Sequence, residues 1–290
     1  MKNTLPILLS IIVGIALSLL CLNTFLKPTT KKNTSPKTKE IKEIKEIKEI
    51  KSVEKTINVK NEAINTDTMQ NSYSNWKAYM KGNIDLMATF TPIDNQGEEI
   101  TKDLFLTLLR TGNYVVIKSD KEGLFQYELT EIKKPVNQKI KKAMISKAGM
   151  AHQYFKMEGQ KLPNYDFVDL DGKSHNKEVR TGKITVLKSW FINCKVCVEE
   201  FPQLNTLVDT YKSDDVQFIS LAFNEKEKLK EFLKTKSFKY VTVPDQKKYL
   251  SKHLKVKQYP THIIINSEGV IIKMVNNVNT LTTELERILE

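Results

Sequence analysis

One stretch constrains this chain more than any other: Ile184-Thr185-Val186-Leu187-Lys188-Ser189-Trp190-Phe191-Ile192-Asn193-Cys194-Lys195-Val196-Cys197. It reads as a buried strand, a tight turn, two cysteines at Cys-x-x-Cys spacing and the start of a helix. A pair at that spacing can close a disulfide across one helical turn. At a helix N-terminus the unpaired backbone N–H groups and the helix dipole favour the thiolate of Cys194. The thiolate is the reactive form, and such surroundings lower a cysteine pKa to roughly 3.5–7.5. The chemistry this points to is thiol–disulfide exchange.

The third cysteine does not compete. Cys21 lies inside an apolar run, so one close pair remains and no disulfide framework. Zinc would want two such pairs or added histidines. His152, His175, His253 and His262 make no cluster with Cys194 in the sequence, so neither a metal nor a cofactor is implied. His262 reads as a partly buried strand histidine.

Around the cysteines the pattern is regular. Asp171-Gly172 between apolar residues signals a hairpin. Strands are expected at 184–191, 216–223, 241–245, 261–265 and 270–274. Helices are expected from the cysteines to Val208 and at 225–234, 246–254 and 281–289. The apolar run 216–223 has the character of a strand covered on both faces. Strands alternating with helices, then a hairpin and a last helix, describe an α/β sheet flanked by helices.

The N-terminal part is of another kind. Residues 4–26 are almost wholly apolar, with Lys2 before them and Lys27, Lys31 and Lys32 after. About 20 such residues span a bilayer as a helix. Leucines continue past the small-residue pairs that a signal-peptide cleavage site needs, so an uncleaved anchor is expected over residues 1–26. Residues 27–71 form a linker whose Lys-Glu-Ile repeat puts its isoleucines on a drifting stripe, unsuited to a coiled coil. Two readings of it stand: a semi-rigid helical spacer and a low-complexity tether. This linker supplies much of the net charge of +12, which therefore fits a membrane-side tether and not a nucleic-acid footprint.

Residues 72–159 look globular but carry no nameable chemistry. Helices are expected at 72–80, after Thr101 with Phe105, Leu108 and Leu109 inward, and at 138–157; strands at 114–117 and 124–129. The segment reads either as a docking or substrate-selecting subdomain or as a structural extension.

The run Trp-Phe-Ile-Asn-Cys-Lys-Val-Cys, then Glu200-Phe201-Pro202, then Tyr259-Pro260-Thr261, resembles the thioredoxin-like TlpA/ResA family of thiol–disulfide oxidoreductases. The likeness covers about residues 161–290, and the whole chain is similar to the Bacteroidota versions with N-terminal extensions. It implies a thioredoxin-like α/β fold at 160–290, a central mixed sheet flanked by helices, joined to a transmembrane helix and a small α+β extension. It also implies placement on the bacterial inner membrane, single-pass, with the C-terminal domain in the periplasm. Cys194 would attack, Cys197 would resolve the mixed disulfide, and the two would form the redox disulfide. Pro260 would be a cis proline, leaving the Tyr259 backbone free to pair with substrate, with Thr261 following it. Trp190 would pack beside the site and, with Tyr259, Pro260 and Thr261, meet the substrate, and Glu200 would tune the cysteines or move protons. Pro202 would kink the first helix.

Three features depart from the family pattern: Asn193 before the first cysteine, the Lys195-Val196 dipeptide, and Gln258 ahead of the proline. A fourth, Lys188, falls where thioredoxin has a buried acid. If it points inward, it and Glu200 become paired proton handlers. Otherwise it snorkels to the surface and Glu200 only offsets positive charge.

Three functions compete. One is a membrane-anchored oxidoreductase that reduces disulfides of exported proteins, apocytochrome c among them, fed by a membrane or periplasmic electron donor or acceptor. Another is a redox-switched binding module. The last is a thiol peroxidase, against which stands Phe191, where that chemistry needs a threonine.

Overall fold

The computed structural model describes residues 66–119, 125–176, 182–212 and 216–290. The expected anchor and most of the linker lie outside these residues. Among the described residues, no helix is long and apolar enough to cross a membrane.

Residues Ile64–Glu290 form one compact unit, and the change of sequence pattern at residue 160 falls inside it. The unit opens with helices α1 (Thr66–Gln70) and α2 (Tyr73–Asn83), the second capped by Ser72, whose hydroxyl accepts from the Asn75 N–H. Strand β1 (Thr91–Ile93) follows, then α3 (Lys102–Arg110), β2 (Tyr114–Ser119), β3 (Gln126–Glu131) and the long helix α4 (Gln138–Phe155). These strands make a three-stranded sheet in the order β1-β3-β2. Thr101 caps α3 as expected, with Phe105 and Leu109 buried and Leu108 half-buried against the core, but Leu106 is fully buried as well. The reason is that α3 is covered by α4 on one side and by the small sheet on another. It therefore buries two adjacent faces and not one stripe. β1 had no signal in the sequence, being three residues with Pro92 in the middle.

The rest of the chain carries a two-stranded hairpin, β4 (Asp166–Val168) and β5 (Ser174–Asn176), turning at Gly172 with φ 87°. Then come β6 (Ile184–Trp190), α5 (Lys195–Glu199), α6 (Phe201–Thr210), β7 (Val216–Ala222), α7 (Lys226–Leu233), β8 (Val241–Val243) and α8 (Lys247–Lys252). Strands β9 (Thr261–Ile265) and β10 (Ile271–Val275) and helix α9 (Val278–Leu289) complete it. The five-stranded sheet runs β10-β9-β6-β7-β8. β6, β7 and β8 are parallel, while β9 is antiparallel to β6 and β10 to β9. This is the mixed, thioredoxin-like sheet. The strands were legible because each is nearly continuous in apolar residues, as strands covered on both faces are.

One core runs through the whole unit, from Met69 and Trp76 to Leu285. After α4 the chain lies along the edge of the large sheet. The Gly159 N–H donates to the Ile271 carbonyl (2.7 Å), the Ile271 N–H to that of Gln160 (2.9 Å), and the Leu162 N–H to that of Gly269 (2.8 Å). These bonds satisfy backbone groups that an open edge would leave bare. The loop between α2 and β1 is fastened to α9: Asp85 Oδ2 accepts from Thr280 Oγ1 (2.5 Å) and Asn277 Nδ2 (3.0 Å), and Glu284 accepts from the Thr89 N–H and hydroxyl.

Candidate active site

Strand β6 delivers the chain to the cysteines, and the turn between them is held in place. The Ile192 N–H donates to Asn224 Oδ1 (2.9 Å), and the Cys194 N–H to the Phe191 carbonyl (3.0 Å). Cys194 then caps α5: its Sγ accepts from the Cys197 N–H at 3.3 Å. Cys194 and Cys197 are joined as a disulfide, Cα–Cα 5.2 Å. Cys194 is 8% exposed and Cys197 0%. Around Cys194 the surface is made by Asn193, Lys195 and Val196, all exposed. The two helices meet at Glu200, which keeps helical backbone angles, and Pro202 takes the first turn of α6, where its missing N–H costs nothing.

Beneath the disulfide lies an aromatic layer. Trp190 meets Phe201 edge-on at 5.1 Å and Phe238 at 5.8 Å. Trp190 is 0% exposed, so its expected contact with substrate is corrected: it supports the cysteines from below. On the open side, Phe191, Phe223 and Tyr259 form a half-buried aromatic group, with Phe191 stacked on Phe223 at 5.2 Å and Tyr259 edge-on to Phe223 at 4.7 Å. Tyr259 and Phe191 both pack against the cluster that holds the two cysteines.

The Tyr259–Pro260 bond is cis, as the resemblance implied. Pro260 is buried and Tyr259 keeps a surface. Thr261 is 0% exposed, so it too is corrected from a substrate contact to a support. Its hydroxyl donates to the Gln258 carbonyl (2.8 Å), and its N–H donates to Ser189 Oγ (3.0 Å). With its proton committed, Thr261 Oγ1 accepts from the Tyr154 hydroxyl (2.9 Å), which belongs to α4. Gln153, beside it, donates to the Lys255 carbonyl (2.6 Å). The extension thus braces the loop that carries the cis proline.

Alternation along β6 separates this brace from a second network on the other face of the sheet. Ser189 pairs with Thr261 on one face, while Lys188 pairs with His262 on the other. Lys188 is 0% exposed and points inward; the snorkelling alternative does not hold. Its Nζ donates to Glu200 Oε2 at 2.6 Å. His262 Nε2 lies 3.1 Å from the same oxygen, and the Val278 N–H donates to Glu200 Oε1 at 3.0 Å. Glu200 therefore ties the α5–α6 junction to β6, β9 and the start of α9.

Charge follows from that geometry. Burial pushes the Glu200 carboxyl up, but the His262 hydrogen bond and the nearby His262 and Lys188 outweigh it, so its pKa ends below the usual value. Burial pushes the Lys188 ammonium down, against the pull of Glu200. Burial, aided by Lys188, lowers His262 to about 4. At neutral pH the carboxylate can only accept, so neutral His262 donates from Nε2. Its Nδ1 is then a bare acceptor with no hydrogen-bond partner in the structure. Sequence reasoning found Lys188 and Glu200 but took His262 as partly buried, whereas it is 0% exposed and the third member of the set. The missing information was strand register, which puts His262 opposite Lys188. Ser189 was missed for the same reason, and Tyr154 because its place in the site depends on the docking of α4. No group of three or more His, Cys, Asp or Glu side chains fit to hold a metal occurs among the described residues.

A cysteine pair opening a helix on a mixed five-stranded sheet, beside a cis-proline loop, defines a thioredoxin-like oxidoreductase domain. The Redoxin family matches residues 157–289. Over 127 residues the chain is 32% identical to thiol-disulfide oxidoreductase ResA of Bacillus thuringiensis subsp. konkukian (strain 97-27), covering 43% of this chain and 73% of that one. Against ResA of Bacillus subtilis (strain 168) it is 28% identical over 124 residues, 42% of this chain and 69% of that one. Among solved structures, the thioredoxin domain of a thiol-disulfide oxidoreductase from Bacteroides vulgatus superposes with a TM-score of 0.43 at 20% identity, over 46% of this chain and 98% of that chain. The chain belongs to the TlpA/ResA-like family of thiol–disulfide oxidoreductases.

Proposed function

We propose that this protein reduces disulfides in exported proteins, apocytochrome c among them, from an inner-membrane anchor that holds residues 64–290 in the periplasm. The observation that carries the reading is the unequal setting of the two sulfurs: Cys194 at the helix start with some surface, Cys197 with none. The Cys194 thiolate attacks one sulfur of the substrate disulfide, whose S–S bond breaks and whose other sulfur leaves as a thiolate. Cys197 then gives up its proton and attacks Cys194 Sγ. The mixed disulfide breaks, the second substrate thiolate departs, and the Cys194–Cys197 bond forms. Two electrons pass from enzyme to substrate, and a membrane or periplasmic dithiol donor restores the enzyme.

Glu200 stands one helical turn beyond Cys197, on the same helix face. In this reading Glu200, Lys188 and His262 govern the proton that Cys197 must lose. Tyr259 offers its backbone to an extended substrate segment.

Reduction of insulin disulfides by the full chain with a dithiol donor tests the reading. Turnover that disappears in Cys194→Ser supports it. A wild-type chain that turns over nothing, yet changes affinity for a bound protein when its disulfide is reduced, would make it a redox-switched binding module instead.

A further inference from the structure

A cleft of about 880 Å³ opens where the loop between α2 and β1, the helix α4 and the helix α9 meet. Its apolar lining includes Met80, Met87, Phe125 and Met150, and Phe125 is 50% exposed. Methionine side chains adapt to varied apolar shapes. Gln258 also lines it, and Gln258 is the residue before Tyr259 in the cis-proline loop. The cleft and the disulfide site therefore share one loop. They also share a helix: Met150 and Ala151 line the cleft, and Gln153 and Tyr154, less than a turn further on, brace that loop.

The charge within the cleft has a definite sign. Both carboxylates on its floor are occupied. Asp85 accepts from Thr280, Asn277 and the Met87 N–H, and Glu284 accepts from Thr89 and Arg287. Lys81 and Lys147, both exposed, form no ion pair among the described residues. The trough is otherwise mostly apolar, and its lining carries three cations, Lys81, Lys147 and Arg287, against two carboxylates, Asp85 and Glu284, a formal excess of one positive charge for an incoming chain.

We propose that this cleft receives the polypeptide segment flanking the substrate's reacting cysteine, an extended stretch combining apolar and acidic side chains. The inference rests on the oxidoreductase reading. A substrate chain joined to Cys194 and paired with the Tyr259 backbone passes Gln258 and continues into the cleft. Gln258 is the joint between the two subsites. Small disulfides engage Cys194 alone and do not use the cleft.

The test compares three disulfides on the full chain: 5,5′-dithiobis(2-nitrobenzoate), and two cystine peptides with an acidic, leucine- and phenylalanine-containing segment on one side or the other of the cysteine. In the K81E/K147E double variant, KM for the preferred peptide rises about tenfold with kcat unchanged, the scale of reversing two exposed charges. Met150→Lys raises the same KM, and neither variant alters reduction of the small disulfide. Unchanged peptide KM in both variants overturns the proposal, as does an equal loss on all three substrates. A shift in monomer–dimer balance on gel filtration, with peptide KM unchanged, overturns it in favour of a second copy of this chain. If the small disulfide is reduced but the flanking segment makes no difference, only the cleft assignment falls. If nothing is reduced, the oxidoreductase reading falls and takes the cleft with it.

Discussion

Lys188 and His262 sit directly across from each other on β6 and β9, and both reach Glu200 Oε2, at 2.6 and 3.1 Å. Two donors converge on one buried oxygen, and each shapes the other's charge. The ammonium disfavours a second positive charge on the imidazole, and the carboxylate needs at least one of them.

Replacing Lys188 with methionine tests the coupling. His262 then loses a repelling neighbour and titrates above its present value of about 4. Glu200 loses its ion partner and titrates higher as well. Removing one member of a buried pair costs about 3–5 kcal/mol, less whatever a protonated His262 restores. NMR titration of the His262 ring reads the shift, and an unmoved His262 refutes the coupling.

Stability falls as the solution is acidified, with a sign that the histidine fixes. The folded-state pKa of His262 is lowered from 6.5 to about 4, so between those values the unfolded chain binds a proton that the folded chain refuses. The stabilisation is complete above about pH 6.5 and is lost as pH falls toward 4, a change of about 3 kcal/mol in total. Glu200, with its lowered pKa, adds a loss of the same sign at lower pH. Urea unfolding across this range shows the slope, and His262→Gln flattens it between pH 6.5 and 4 while leaving the loss at lower pH.

Tyr154→Phe removes a donor to Thr261 Oγ1 and leaves the Thr261–Gln258 bond in place. A loss of about 1 kcal/mol in stability is expected for one buried hydrogen bond. If α4 positions the cis-proline loop, KM for a protein disulfide rises severalfold while kcat holds. A change in stability alone would leave Tyr154 a core residue with no bearing on the reaction.

The two cysteines differ in what their serine variants trap. Cys197→Ser leaves the attacking thiolate and removes the resolving one, so mixed disulfides with substrate accumulate on non-reducing gels. Cys194→Ser gives none, because Cys197 is fully buried. Adducts on Cys197 would reverse the assigned order of attack.

How far the sequence carried this reading varies by element. β6 and β7 were visible because strands covered on both faces are mostly apolar, with few charged residues and no clean alternation. The Thr101 cap was visible because side-chain caps are local chemistry, whereas the Ser72 cap emerged only in the structure. β1 was not, since it pairs with β3 across more than thirty intervening residues and holds a proline. The cysteine pair, Glu200 and Pro260 were legible as local motifs. His262, Ser189 and Tyr154 were not, because what makes them part of the site is cross-strand register and the docking of α4. The inward direction of Lys188 had a usable signal, for it shares period-two phase with the apolar Val186 and Trp190.

Glu200 takes its third hydrogen bond from the Val278 N–H, the first residue of α9. A chain emerging from the ribosome therefore displays both cysteines long before the peptide amide that completes their carboxylate neighbour has been made. On the proposed role of Glu200, thiols on such an unfinished chain lack the carboxylate setting of the native protein. Full redox competence on that reading waits for α9 to dock, so synthesis itself delays the chemistry until the fold is in place.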